Sequence, residues 1–231
     1  MKFFAHLICL FAISCSFFSG RSNRFQNQGK VQVAFTMYNP LLYEDSIKVA
    51  YTVWFDGNVT IQEVPELIFA EDTLGNKEYS SKIIYFIYAN PDKHKYVSFT
   101  NFSDTSTSIK QYANIDSVEK EGIWNFYSLA PITYDSMSMI KDTILDGSPS
   151  KLFSIVKRVN GIDVIIKAYA KCGVTSVVEF MKFFGDSIGC SIQKTETYEN
   201  GELTIAHTIS VICDSLSVEE RLVFDTWGKR K

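Results

Sequence analysis

The chain has 231 residues, 46% of them hydrophobic and 14% aromatic, with a formal net charge of -3. That length suits one ordinary domain or two small ones, and the composition excludes collagen-like, long disordered and cysteine-dense classes. The slight acidity argues against a dedicated nucleic-acid binder, which would carry a basic surface.

The first twenty residues read as a secretory signal peptide. Lys2 supplies the positive start, Leu7 to Ile13 is the apolar stretch, and Ser14, Ser16, Ser19 and Gly20 offer cleavage sites. The apolar run is too short to span a membrane, which takes about 20 residues. Ala12-Ile13-Ser14-Cys15 resembles a bacterial lipobox, which makes Cys15 a lipidation candidate. Residues 21–30 then form a polar tether, and 31–231 a single β-rich domain. The expected location is exported: periplasm, outer membrane or extracellular space, with the membrane surface reached only through a lipid anchor.

Beyond the leader, short alternating runs rich in Val, Ile, Thr, Tyr and Phe predict strands. They fall at 31–38, 47–55, 58–63, 82–89, 94–101, 107–113, 123–129, 139–145, 151–159, 162–171, 174–183, 188–199 and 202–213. Residues 63–71 suggest a short turn or helix. A helix is expected over 218–225, with Ser217 and Glu220 spaced as a capping box. The fold class is therefore mainly β. We expect a strongly curved antiparallel meander, half-barrel or sandwich, with one or two short helices.

Two Asn-Gly pairs set hairpin registers, because a two-residue type I′ turn needs φ > 0 at both positions. Around Asn160-Gly161, Val159 should face Ile162, Arg158 Asp163, Ile155 Ile166 and Leu152 Tyr169. Both faces of this hairpin are apolar, which predicts a central, covered position. Around Asn200-Gly201, Tyr198 should face Leu203, Ile192 Ile209 and Cys190 Val211. Leu203, Ile205, Ile209, Val211 and Cys213 would then share one face, interrupted by Lys194, Glu196 and His207, with Lys194 opposite His207. These three are the candidate ligand-lining residues; a wet strand end with a mutual charge cluster is the plainer reading. The same register favours a Cys190–Cys213 disulfide, leaving Cys172 as the odd cysteine.

The cysteine spacings do not fit a zinc motif. No catalytic nucleophile, hydride-binding or phosphate-binding signature occurs, and neither a metal nor a cofactor is indicated. The reading leans away from an enzyme. One pattern stands out: Asp-Ser/Thr followed by an aliphatic residue or Met occurs seven times, at Asp45, Asp72, Asp116, Asp135, Asp142, Asp186 and Asp214. Asp and Ser side chains bonding their own backbone at strand starts account for it in part. The triplet also resembles an O-glycosylation sequon of exported Gram-negative proteins. Asn58-Val59-Thr60 and Asn101-Phe102-Ser103 match the N-glycan acceptor, which matters only in a eukaryote.

The stretch KYVSFTNFSDTSTSIKQYANIDSVEKEGIWNFYS (95–128), and the layout running on to KDTILDGSPSKLFSIVKRVNGIDVIIKAYAK (141–171), resemble small exported bacterial proteins of the GLPGLI type. In outline these are similar to half-barrel lipoprotein carriers. The Gly-Leu-Pro-Gly-Leu-Ile motif itself does not occur, so no functional residue is carried over. The resemblance implies an envelope protein that binds an apolar molecule. Read together, the expectation is non-catalytic binding of an apolar or lipid-like ligand, or of a partner protein. A secreted carboxylate-dependent glycan hydrolase and a structural or adhesion surface module are the alternatives.

Overall fold

A computed structural model describes residues 28–38, 46–71, 73, 77–103, 108, 110–113, 134–173, 178, 181–213 and 215–229. The expected signal peptide with Cys15, residues 21–27 of the expected tether and the strand expected at 123–129 lie outside the described residues. The chain is mainly β, with one sheet of eleven antiparallel strands that does not close. Its strands are β1 (Gln28–Tyr38), β2 (Ser46–Asp56), β3 (Val59–Glu71), β4 (Lys77–Asn90), β5 (Lys95–Phe99), β6 (Lys110–Tyr112), β7 (Ser136–Leu145), β8 (Ser148–Val159), β9 (Ile162–Cys172), β10 (Cys190–Glu199) and β11 (Glu202–Cys213). Among the described residues there are two α-helices, α1 (Lys182–Ile188) and α2 (Val218–Lys229).

The order across the sheet is β6-β5-β4-β3-β2-β1-β11-β10-β9-β8-β7. It is not one meander. One meander runs outward from β1 to β6, a second runs inward from β7 to β11, and β1 pairs with β11 to join them. This is the cyclic order of an up-and-down barrel left open between β6 and β7. Among the described residues all strands belong to this one sheet, not to a two-sheet sandwich.

Alternation gives the sheet two faces. The front face carries Val31, Val33, Tyr51, Val53, Phe55, Ile209, Ile192, Ala168, Ala170, Phe153 and Ile155, all buried in one cluster with Val178 and Phe184 of the α1 region. The back face carries Ile61, Tyr88, Val97 and Phe99, buried under Val223, Phe224 and Trp227 of α2. Each fully buried side chain of this size contributes about 1.5–3 kcal/mol.

The Asn160-Gly161 hairpin follows its predicted register throughout: Val159 faces Ile162, Arg158 Asp163, Ile155 Ile166 and Leu152 Tyr169. Both Asn160 and Gly161 have positive φ, 52° and 84°, as the turn type demands. The Arg158 guanidinium and the Asp163 carboxylate meet at 2.8 Å on the surface.

Three expectations are corrected. Residues 63–71 are not a turn or helix but the outer half of β3; Pro65, which has no N–H to give to a ladder, sits where the register shifts against β4. Of the strand expected at 174–183, residues 174–177 and 179–180 lie outside the described residues, and its last two residues, Lys182 and Phe183, open a helix, Lys182–Ile188. There Met181, Phe184 and Ile188 recur at helical spacing and turn toward the front-face cluster.

The third correction concerns register. Near Asn200-Gly201, Tyr198 faces Leu203 as expected, but Thr197 then faces Ile205. Thr204 is an extra residue, a β-bulge, and its Oγ1 donates to the Thr197 carbonyl at 3.1 Å, satisfying a group the bulge displaces. Every pair beyond it slips by one. Leu203 therefore does not share the face of Ile205 and Ile209.

Candidate functional site

The bulge separates the three residues the sequence placed together. Lys194 faces Thr208, and it is Thr195 that faces His207. Thr195 also pairs with Ala168 of the front-face core, whereas Lys194 pairs with Tyr169 on the back. His207 thus belongs to the front face, and Lys194 and Glu196 to the back.

His207 is 8% exposed. Its ring stacks on Phe35 with centroids 5.2 Å apart, and its Nδ1 lies 3.2 Å from Thr195 Oγ1. Burial lowers its pKa to about 4, so the imidazole is neutral at pH 7. It is buried on the front face beside Phe35 and Thr195.

On the back face the Glu196 carboxylate is the centre of a compact network. One oxygen accepts from Lys194 Nζ at 2.7 Å; the other accepts from the Tyr169 and Tyr198 hydroxyls, each at 3.0 Å. Burial pushes the Glu196 pKa up, but these donors together pull it lower still, so it stays ionised. Tyr169 is pushed up to about 12, first by burial and then by the carboxylate it serves. Lys194 Nζ lies 4.9 Å from the Tyr169 ring centre, and Lys167 Nζ 4.2 Å from that of Tyr198. The charge cluster expected at a wet strand end is therefore present without His207.

Cys190 is bonded to Cys172, not to Cys213. The two face each other in the ladder where β9 ends and β10 begins. The predicted pairing assumed an unbroken β10–β11 register, and the Thr204 bulge breaks that register. Direct cross-strand opposition then favours the nearer partner, 18 residues away in sequence. Among the described residues no group of three His, Cys, Asp or Glu could hold a metal ion, and no helix is long and apolar enough to cross a membrane.

The sequence reading missed an apolar strip. On β7, Met137 faces the buried Ile155 and Met139 faces the buried Phe153, so both continue the front-face core to the sheet edge. Yet Met139 is 47% exposed, and Ile144 farther along is 73% exposed. Val159 and Ile162, at the tip of the neighbouring hairpin, are exposed as well. The signal was the Ser136-Met137-Ser138-Met139 alternation, which sorts the thioethers onto one face. Methionine is flexible and polarizable, suited to surfaces that accept apolar groups of varied shape.

Of the Asp-Ser/Thr triplets, Thr73, Ser136, Ser187 and Ser215 have exposed side chains, and Ser46 and Thr143 are half-buried. Ser187 Oγ donates to the Phe184 carbonyl at 2.7 Å. Asp116-Ser117 lies outside the described residues. No protein-family model and no curated protein matches the chain.

Proposed function

We propose that this is an exported, non-catalytic envelope protein that holds an apolar, lipid-like molecule against the front face of its open sheet, with entry over β7. The observation that carries this reading is the continuity of the front face: Phe153 and Ile155 are buried, and their ladder partners Met139 and Met137 carry the same surface out to solvent. A chain that needed only a sealed core would end such a face in polar side chains, because exposed apolar surface is a liability unless it binds something. The single open sheet also supports the resemblance to half-barrel lipoprotein carriers, and hence a GLPGLI-type envelope role. Lipidation at Cys15 and O-glycans on exposed hydroxyls such as Ser136 belong to the same reading.

The test is extraction and mass spectrometry of the full protein from its native source, together with titration of the apolar dye N-phenyl-1-naphthylamine. We expect a co-purifying apolar molecule, and dye affinity weakened on the order of tenfold in Met139→Lys, as loss of about 1.4 kcal/mol of apolar contact predicts. A protein that carries nothing apolar and binds dye equally well as wild type and variant overturns the reading. The intact mass of the same sample reports leader cleavage, acylation at Cys15 and glycan addition.

A further inference from the structure

We infer that Lys157 anchors the head group of the molecule held on the front face, and that this molecule is a single-chain amphiphile with one carboxylate, a long-chain fatty acid. This rests on the apolar-ligand reading of that face and names the class of ligand it would take. β8 runs in unbroken register against β9 from Lys151 to Val159. Ile155, Lys157 and Val159 therefore share the front face. Ile155 is fully buried in the front-face cluster, Lys157 is half-buried, and Val159 is 41% exposed. Opposite Lys157 stands Val164, and opposite Val159 stands Ile162. On the β7 side Met137 faces Ile155, which makes it a diagonal neighbour of Lys157 at about 7–8 Å. Lys157 is thus a cation set among Met137, Ile155, Val159, Ile162 and Val164.

Among the described residues no hydrogen bond or ion pair falls to the Lys157 ammonium. The acids nearest to it in sequence and ladder are engaged elsewhere or stand apart. The Asp163 carboxylate holds the Arg158 guanidinium at 2.8 Å, and an oxygen of Asp135 accepts from the Arg158 amide. Glu199 opposes Val164 from β10, two strand spacings and about 10 Å from Lys157. Lys151, on the same face of β8, has Asp142 directly opposite it. A half-buried cation without a partner has lost hydration that an anionic head group would replace with a charge-assisted hydrogen bond. One ammonium matches one negative charge. A phosphate dianion would call for the forked donors of arginine, and the neighbouring guanidinium, Arg158, is taken by both oxygens of Asp163. From Lys157 the apolar surface passes Met137 and Met139 and ends at the Asp142–Lys151 row. Along β8 that is the stretch from 157 to 151, about 20 Å. It suits an extended alkyl chain, with the polar row at its far end.

The experiment measures displacement of N-phenyl-1-naphthylamine from the full protein by dodecanoate, dodecanol, dodecyltrimethylammonium and dodecyl phosphate, each below its micelle concentration. Wild type should bind dodecanoate on the order of tenfold more tightly than dodecanol, as one hydrogen bond to a charged group predicts. Lys157→Met should abolish that preference while dodecanol still binds, and Lys157→Glu should turn it toward dodecyltrimethylammonium. Lys151→Met should retain it. Circular dichroism checks that each variant is folded, and where one is not, the wild-type comparison decides by itself. Equal affinity of wild type for dodecanoate and dodecanol overturns the inference and leaves the apolar-ligand reading standing. So does a preference that survives Lys157→Met or is lost in folded Lys151→Met, and so does tighter binding of dodecyl phosphate than of dodecanoate. If neither the dye nor any of the four compounds binds, both readings fall.

Discussion

The two faces of the sheet are covered by helices in different ways. On the back, α2 is fastened by directed polar bonds as well as by packing. Glu220 Oε1 accepts from Lys30 Nζ at 3.0 Å and from Trp54 Nε1 at 2.8 Å, while Oε2 accepts from the Ser217 N–H at 2.7 Å. Lys95 Nζ donates to the Trp227 carbonyl, and the Trp227 ring stacks on Phe99 at 4.4 Å. On the front, α1 rests on Phe184, Met181 and Ile188 and on the disulfide at its root. Directed bonds fix one orientation and one register. Apolar contact is non-directional and sets position less sharply. The back helix is thus tied to β1 and β2 through Glu220 and to β5 through Lys95.

The largest effect that tests this contrast is Trp227→Ala. Removing a fully buried indole should cost about 3–5 kcal/mol in urea unfolding, because it leaves a cavity in the back-face cluster and removes the stack on Phe99. A small loss would mean that the directed bonds and the packing of α2 do little to hold it.

A second expected effect comes from the front face alone. The folded pKa of His207, about 4, lies below its ordinary value of 6.5 because burial disfavours the charged ring. The unfolded chain therefore binds the proton more readily, so this contribution to stability is complete above pH 6.5 and is lost as pH falls toward 4. The loss amounts to about 3 kcal/mol. Urea midpoints at pH 7 and pH 4.5 should converge in His207→Gln relative to wild type. An unchanged pH slope would show that the ring reaches water in the native state.

The smallest effect is local to α2. Ser217→Ala removes the hydroxyl that accepts from the Glu220 N–H and should cost about 1 kcal/mol. Comparing the variant with wild type by circular dichroism and urea unfolding sharpens the contrast, since no such cap was legible for α1. A loss well beyond that size would mean that the cap also governs the Glu220 contacts with Lys30 and Trp54.

How readily each feature could be read tracks how local its cause is. The capping box at Ser217 and Glu220 involves neighbours in sequence, and it forms as read. The Asn160-Gly161 register is local too, and Arg158 meets Asp163 as expected. The Asn200-Gly201 hairpin begins as read and then slips, because Thr204 enters as an extra residue just past the turn and breaks the alternation. That single inserted residue moved His207 away from Lys194 and Glu196, and with it fell the expected Cys190–Cys213 pairing. α1 was hidden because its β-branched and aromatic flank reads as strand, while its helical spacing spans only Met181 to Ile188. The exposed apolar strip was hidden for another reason: alternation tells which residues share a face, but not which of them a neighbouring element will cover.

From the amino-acid order alone came the β class, most strand positions, the hairpin turns and the cap of α2, all consequences of period-two hydropathy and nearest-neighbour backbone preference. Only the tertiary structure decided that β1 joins β11, that Cys172 is the partner of Cys190, and that Met137 and Met139 stay open while Phe153 is closed. Those are contacts between residues far apart in the chain, chosen by competition among many partners of similar chemistry, and geometry settles that competition where composition cannot.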